Sequence, residues 1–263
     1  MTDVKICTLF SGSGGNSTYV KIGETEILID AGKCARTLCS ALREIGSDIS
    51  RISAIFITHE HTDHVSALEV LSKKHSVPIH ITTKSAQKFD RDAKAFIHKN
   101  LCRHEEIEFS VSVGELKISA FHTPHDSMMS VGYTIETNRD NKPFKIAVAT
   151  DIGYVTDNIR KNLLGCEAVV LESNHDEDML MKGPYPYDLK MRILSNGGHL
   201  SNKNSAALGA ELAANGTKAF LLAHLSEENN TPGLAFDEFY SAIADERVAI
   251  LTAAPDTPTE LTF

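Results

Sequence analysis

The stretch Thr58-His59-Glu60-His61-Thr62-Asp63-His64 constrains this chain more than any other, because its metal-binding side chains crowd into a few consecutive positions. It follows directly on the apolar run Ile52-Ser53-Ala54-Ile55-Phe56-Ile57, which reads as a buried strand. Where the chain stays extended past a strand end, residues two apart point the same way, so His59 and His61 reach one ion together. Asp63 and His64 then fall where the backbone turns into a helix, predicted over Val65 to Lys74 with Leu68 and Leu71 on one face, and they reach a second ion nearby. A polar loop with Asp63 as helix N-cap is the alternative. It gives three histidines around an aspartate no purpose.

The stretch resembles the HxHxDH signature of the metallo-β-lactamase superfamily. The resemblance implies an α/β fold, a four-layer αββα sandwich in which two β-sheets pack face to face between outer helices, with one or two metals at the sheet edge. Ala67 stands where that family usually has glycine, a departure that concerns the helix start and not the ligands. The 263 residues, 42% of them hydrophobic, suffice for a sizeable core and are expected to form a single domain over 1–263, since no low-complexity run or linker marks a boundary.

The five cysteines contain no CxxC pair, which argues against both a disulfide framework and a thiolate zinc site. The beginning Met1-Thr2-Asp3-Val4-Lys5 lacks a basic region followed by an apolar one, and no later stretch approaches the roughly 18 apolar residues of a membrane span. A soluble cytoplasmic protein is the expectation. A formal net charge of -9 argues against passive, charge-driven binding of nucleic acid. It leaves room for a phosphodiester substrate, because bound cations and local basic patches reverse the sign where it counts.

Along the chain, Val4 to Phe10 reads as a first strand and Ser11-Gly12-Ser13-Gly14-Gly15-Asn16-Ser17 as a glycine-rich turn, either an anion pocket or a tight hairpin. Asp30 ends another strand beside glycine, where the superfamily usually keeps an aspartate that orients a metal ligand; a plain turn aspartate is the alternative. Lys84, Lys88, Arg91, Lys94, Lys99 and Arg103 make Lys84 to Arg103 the most basic helix-like segment, read as a solvated face or a phosphate-backbone contact. His122 and His125 compete for one ligand position; the superfamily pattern favours His125, in the loop after the strand and after Pro124. Asp151, at the end of an apolar strand before a glycine turn, suits a carboxylate that bridges two ions. His224, at a later strand end, completes the second set.

Further segments narrow the resemblance to the YycJ (WalJ) branch: Ser11 to Ser17, Glu172-Ser173-Asn174-His175-Asp176, Gly183 to Ile193, Gly198-His199-Leu200-Ser201-Asn202 and His224 to Asn230. That branch implies a 5′-to-3′ exonuclease on double-stranded DNA, with a suggested part in mismatch repair. The resulting expectation is a dinuclear phosphodiesterase that uses a metal-bridging hydroxide and two divalent ions (Zn, Mn or Fe). His59, His61 and His125 would hold one ion, Asp63, His64 and His224 the other, with Asp151 between them. Asp63 and His199 are the expected catalytic residues, His199 giving a proton to the leaving oxygen. Ser13, Asn16 and Asn230 are the expected substrate contacts, with Lys190, Arg192 and Lys203 as further candidates along DNA. Small-molecule phosphodiesterase and acyl hydrolase are the alternatives. A redox diiron centre is disfavoured because His61 stands where such proteins carry a carboxylate, and a non-catalytic module because every ligand position is filled.

Overall fold

The computed structural model describes residues 4–91, 95–139 and 142–262. The strands are β1 (Val4–Phe10), β2 (Ser17–Ile22), β3 (Thr25–Ile29), β4 (Ile52–Phe56), β5 (Ile79–Thr82), β6 (Leu101–His104) and β7 (Ser110–Val113), followed by β8 (Leu116–His122), β9 (Val131–Arg139), β10 (Lys142–Ala149), β11 (Ala168–Glu172), β12 (Ala219–Ala223), β13 (Ala249–Thr252) and β14 (Thr259–Leu261). Among the described residues they form two seven-stranded sheets, ordered β14-β1-β2-β3-β4-β5-β6 and β13-β12-β11-β10-β9-β8-β7. Each sheet is part antiparallel and part parallel. In the first, neighbours from β3 to β6 run parallel; in the second, those from β10 to β13 do.

Strict alternation along the strands separates three apolar clusters. Ile6, Val20, Ile29 and Phe56 of the first sheet meet Tyr133, Val148, Val170 and Leu221 of the second in the middle layer. The opposite faces of the same strands present Cys7, Leu28 and Ile55 to the helices Ala35–Glu44, Leu68–Lys74 and Thr83–Arg91. Ala147, Val169 and Phe220 likewise face Asp157–Leu163, Asn202–Ala214 and Pro232–Ile243. The result is the expected helix–sheet–sheet–helix sandwich. It explains why β11 and β12 are apolar almost throughout, since both faces of these strands are covered.

Two expected elements differ in detail. The helix predicted over Val65 to Lys74 is two short ones, Thr62–Val65 and Leu68–Lys74, with Asp63 inside the first and His61 at its N-cap. The basic segment is not one helix: it comprises Thr83–Arg91, Ala95–His98 and then β6, and the expected Lys94 lies outside the described residues. Arg103 belongs to β6 and forms a two-pronged ion pair with Asp90 at 2.9 and 2.6 Å. No helix among the described residues is long and apolar enough to cross a membrane.

Candidate metal centre

The C-terminal ends of the parallel strands meet at one edge of the sandwich, the position where open α/β sheets present their chemistry. Asp30 follows β3, the HEHTDH stretch follows β4, Asp151 follows β10, Glu172 closes β11 and His224 follows β12. Asp30, Asp151 and His224 have φ of 64°, 57° and 59°. This left-handed region is disfavoured for residues with a Cβ, least so for Asp, Asn and His, and here it ends three strands abruptly so that their side chains converge. The glycine turn closes around the motif: Asn16 N donates to Asp63 O at 2.7 Å and Gly32 N to Asn16 O at 2.9 Å. Gly32 is sterically obligatory, because a Cβ there would lie 1.6 Å from Asp63 O.

Among the described residues the donors gather in four overlapping sets. His59, His61 and His125 bring ring nitrogens together on one side; Asp63, His64 and His224 join a carboxylate and two ring nitrogens on the other; His59, His64 and Asp151, and Asp151, Glu172, His199 and His224, link the two. Asp151 stands between them: Oδ1 is 3.7 Å from His125 Nε2 and 3.7 Å from His224 Nε2, and Oδ2 is 3.6 Å from His64 Nε2. Asp151 Oδ2 and His224 Nε2 are buried without a hydrogen-bond partner. Orphaned buried atoms of this kind are destabilising unless a cation takes them up. His59 Nε2 lies 2.9 Å from His61 Nδ1, a spacing suited to two nitrogens that share one ion. The residues therefore fit divalent cations, and an all-nitrogen-and-oxygen set suits Zn, Mn or Fe.

A second layer fixes the ring orientations. Asp30 accepts from His64 Nδ1 at 2.8 Å and is itself held by the Thr58 amide at 2.8 Å and the Thr58 hydroxyl at 2.9 Å. Glu172, fully buried, was not singled out from the sequence as a site residue. Its Oε1 accepts from His224 Nδ1 at 2.9 Å and His199 Nδ1 at 2.8 Å, and its Oε2 from the amides of Ile152 at 2.7 Å and Leu200 at 3.1 Å. The one available signal was a carboxylate closing an otherwise apolar strand, Ala168–Glu172.

Electrostatics prepare the donors. Burial works to raise the Asp63 and Asp151 carboxyls, but the surrounding imidazoles outweigh it and hold both well below the usual carboxylate range. Burial, reinforced by neighbouring imidazoles, keeps His59 neutral. Burial also opposes charge on His224, yet Asp151, Asp63 and Glu172 raise it to about 10. A cation binding here displaces protons, so its affinity rises with pH.

The donors open into a cleft of about 360 Å³ that is lined by Ser13, His61, Asp63, His125, Asp151 and His199 among others. Ser13 lines it, whereas Asn16 and Asn230 do not. The Asn16 amide is spent on Asp63 Oδ2 and His64 Nε2, each at 3.1 Å. Asn230, 5% exposed, is locked to Ser173 O, Asn174 O and Asn202. Lys190 is tied to the carbonyls of Met181 and Gly183, and Arg192 lines the cleft while paired with Asp126; Lys203 is exposed on the helix Asn202–Ala214. Lys88 of the basic segment reaches the motif loop, donating to Glu60 O at 2.8 Å. His125 joins His59 and His61, whereas His122 belongs to no donor set among the described residues. His175 is 1% exposed and does not line the cleft.

Fold and donor set together define a metal-dependent hydrolase. The family described as "Beta-lactamase superfamily domain" matches residues 25–225. The chain is 35% identical over 231 residues to Exodeoxyribonuclease YycJ of Bacillus anthracis, covering 86% of this chain and 84% of that one. It is 32% identical over 265 residues to Exodeoxyribonuclease WalJ of Streptococcus pneumoniae, covering 98% and 97%. It therefore belongs to the metallo-β-lactamase superfamily and, within it, to the YycJ/WalJ family. Solved structures repeat the fold: Zn(2+)-bound PqqB of Methylobacterium extorquens superposes with a TM-score of 0.70 at 18% identity over 97% of this chain and 99% of that one. The metallo-β-lactamase fold protein YhfI of Bacillus subtilis does so at 0.68 and 14% over 98% and 100%.

Proposed function

We propose that the protein is a dinuclear metal-dependent phosphodiesterase that degrades double-stranded DNA from the 5′ end in the cytoplasm. His59, His61 and His125 would hold one cation and Asp63, His64 and His224 the other, with Asp151 standing between the two sets. When bound, the two cations supply an activated water as nucleophile and neutralise charge on the phosphoryl oxygens. The observation that carries the phosphoester reading is His199. It lines the same cleft, and its Nδ1 lies 2.8 Å from Glu172 Oε1 and 3.9 Å from Asp151 Oδ1. Glu172 accepts a hydrogen bond from Nδ1–H, which leaves Nε2 for the cleft; the doubly protonated ring gives its Nε2 proton to the leaving oxygen and returns to the neutral form with its proton on Nδ1. An alkoxide leaving group needs that proton. The DNA substrate is supported by the names of the relatives at 35% and 32% identity.

A second reading, a phosphodiesterase for small nucleotide esters, is favoured by the modest volume of the cleft, about 360 Å³. Incubating end-labelled linear duplex DNA with the protein and Mn²⁺ or Zn²⁺, beside His59→Ala and His199→Ala, separates the two. Loss of 5′ label that is abolished by His59→Ala and slowed about 10²- to 10⁴-fold by His199→Ala supports the exonuclease. Intact DNA with cleavage of bis-p-nitrophenyl phosphate selects the second reading.

A further inference from the structure

The helix Tyr187–Ile193 contains no buried residue, although Leu189, Met191 and Ile193 are apolar. Leu189 and Ile193, with Tyr185 and Leu225, line the cleft that also holds His61, Asp63 and Asp151. The backbone of this wall is tied to that of His199, whose imidazole lines the same cleft: Ile193 O accepts from the His199 amide at 3.0 Å. An aromatic ring and aliphatic side chains beside a phosphoester centre match the chemistry of a nucleotide, with charge at one end and a flat, weakly polar base at the other.

The backbone that carries Tyr185 is also constrained. Tyr185 lies between Pro184 and Pro186, and proline on each side narrows the backbone freedom of the segment. The Lys190 ammonium clamps the loop by donating to Met181 O at 2.9 Å and Gly183 O at 2.8 Å. Gly183 packs so closely that a Cβ would meet Met179 O and Asn229 Oδ1 at 2.7 Å each. A loop fixed in advance loses little freedom when a base settles against it.

We infer that Tyr185 is a stacking platform for the base of the terminal nucleotide, so that the centre receives one unpaired nucleotide at a time. This rests on the DNA reading above. A cleft of about 360 Å³ is the size of roughly one nucleotide. A paired end brings its partner strand as well and must fray before its last phosphodiester reaches the donors. Stacking on an aromatic ring is tolerant of base identity, as degradation of DNA of any sequence requires.

The test uses linear duplexes with an ordinary or an abasic terminal nucleotide, matched or mismatched at the end, with the wild type, Tyr185→Ala, Tyr185→Phe and Tyr187→Ala. Tyr187, 68% exposed and outside the cleft, is the control. For the wild type, KM should rise about tenfold or more on the abasic end, and the mismatched end should release its first nucleotide faster than the matched one. Tyr185→Ala should show the raised KM on both ends with kcat little changed, while Tyr185→Phe and Tyr187→Ala behave as wild type. Equal KM for the two ends in the wild type overturns the platform and leaves the exonuclease intact. That comparison decides even where Tyr185→Ala does not fold. Release from no DNA at all overturns the exonuclease reading and this one with it.

Discussion

Replacing Glu172 with Gln changes one oxygen to an amide nitrogen at nearly constant volume, yet no orientation of the new side chain satisfies its surroundings. In the native protein both carboxylate oxygens only accept, from two imidazole N–H groups on one side and two backbone N–H groups on the other. Although burial opposes its charge, His199 and His224 hold Glu172 ionised, with its pKa lowered to about 2. If the Gln amide nitrogen faces Ile152 and Leu200, two buried backbone donors lose their acceptor, at about 1–3 kcal/mol each, or about 2–6 kcal/mol together. If it faces the imidazoles, both rings must carry their proton on Nε2, and His224 no longer has a lone pair for a cation. Reorienting a ligand in this way lowers metal affinity about 10- to 100-fold. Urea denaturation of the chelated protein and competitive metal titration measure the two effects separately. A Glu172→Gln protein within about 0.5 kcal/mol of wild type, with unchanged affinity for both cations, would refute the argument.

Gly32→Ala should destabilise the fold by about 3 kcal/mol or more, because the added methyl meets backbone atoms of Asp63 and Asn16 that have no rotamer to give way; an unchanged denaturation midpoint would contradict this. Chelation should abolish cleavage and lower the melting temperature, with Mn²⁺ or Zn²⁺ restoring both, since binding to the native donors alone stabilises by mass action; a melting temperature indifferent to metal would count against the orphaned-donor reasoning. His80, stacked on Phe56 and 3.0 Å from His104, has its pKa lowered to about 4 by burial and by His104. The unfolded chain therefore binds more protons than the folded one below about pH 6.5, so stability falls as pH drops from there toward 4. His80→Asn should flatten that part of the profile; an identical pH slope in the variant would exclude His80 as its source.

The candidate metal donors were legible because they lie at or just beyond the ends of apolar strands, where a His or Asp has no packing role. The apolar run that identified β4 also located His59 and His61 just beyond it, and Asp151 was readable from the run before it. Glu172 escaped because the same position was read only as part of a motif; nothing in the spacing reveals that two histidines, 27 and 52 residues away in sequence, would share one of its oxygens. Asn16 and Asn230 belong to loops beside the centre yet do not line the cleft, because sequence reports which loop an amide occupies and not which way it faces. The passage of Arg103 into β6 answers to sheet pairing, which outweighs local helix preference.

The left-handed residues Asp30, Asp151 and His224 have an evolutionary consequence. Each holds a conformation that glycine would adopt with less strain, by roughly 1 kcal/mol, so at all three positions the most stable backbone and the reactive side chain are in opposition. In a descendant freed from selection for chemistry, these positions would drift toward glycine or asparagine, and the fold would gain from the change. Persistence of side chains at three strained strand ends is therefore a mark, readable from backbone angles alone, of a lineage still selected for turnover.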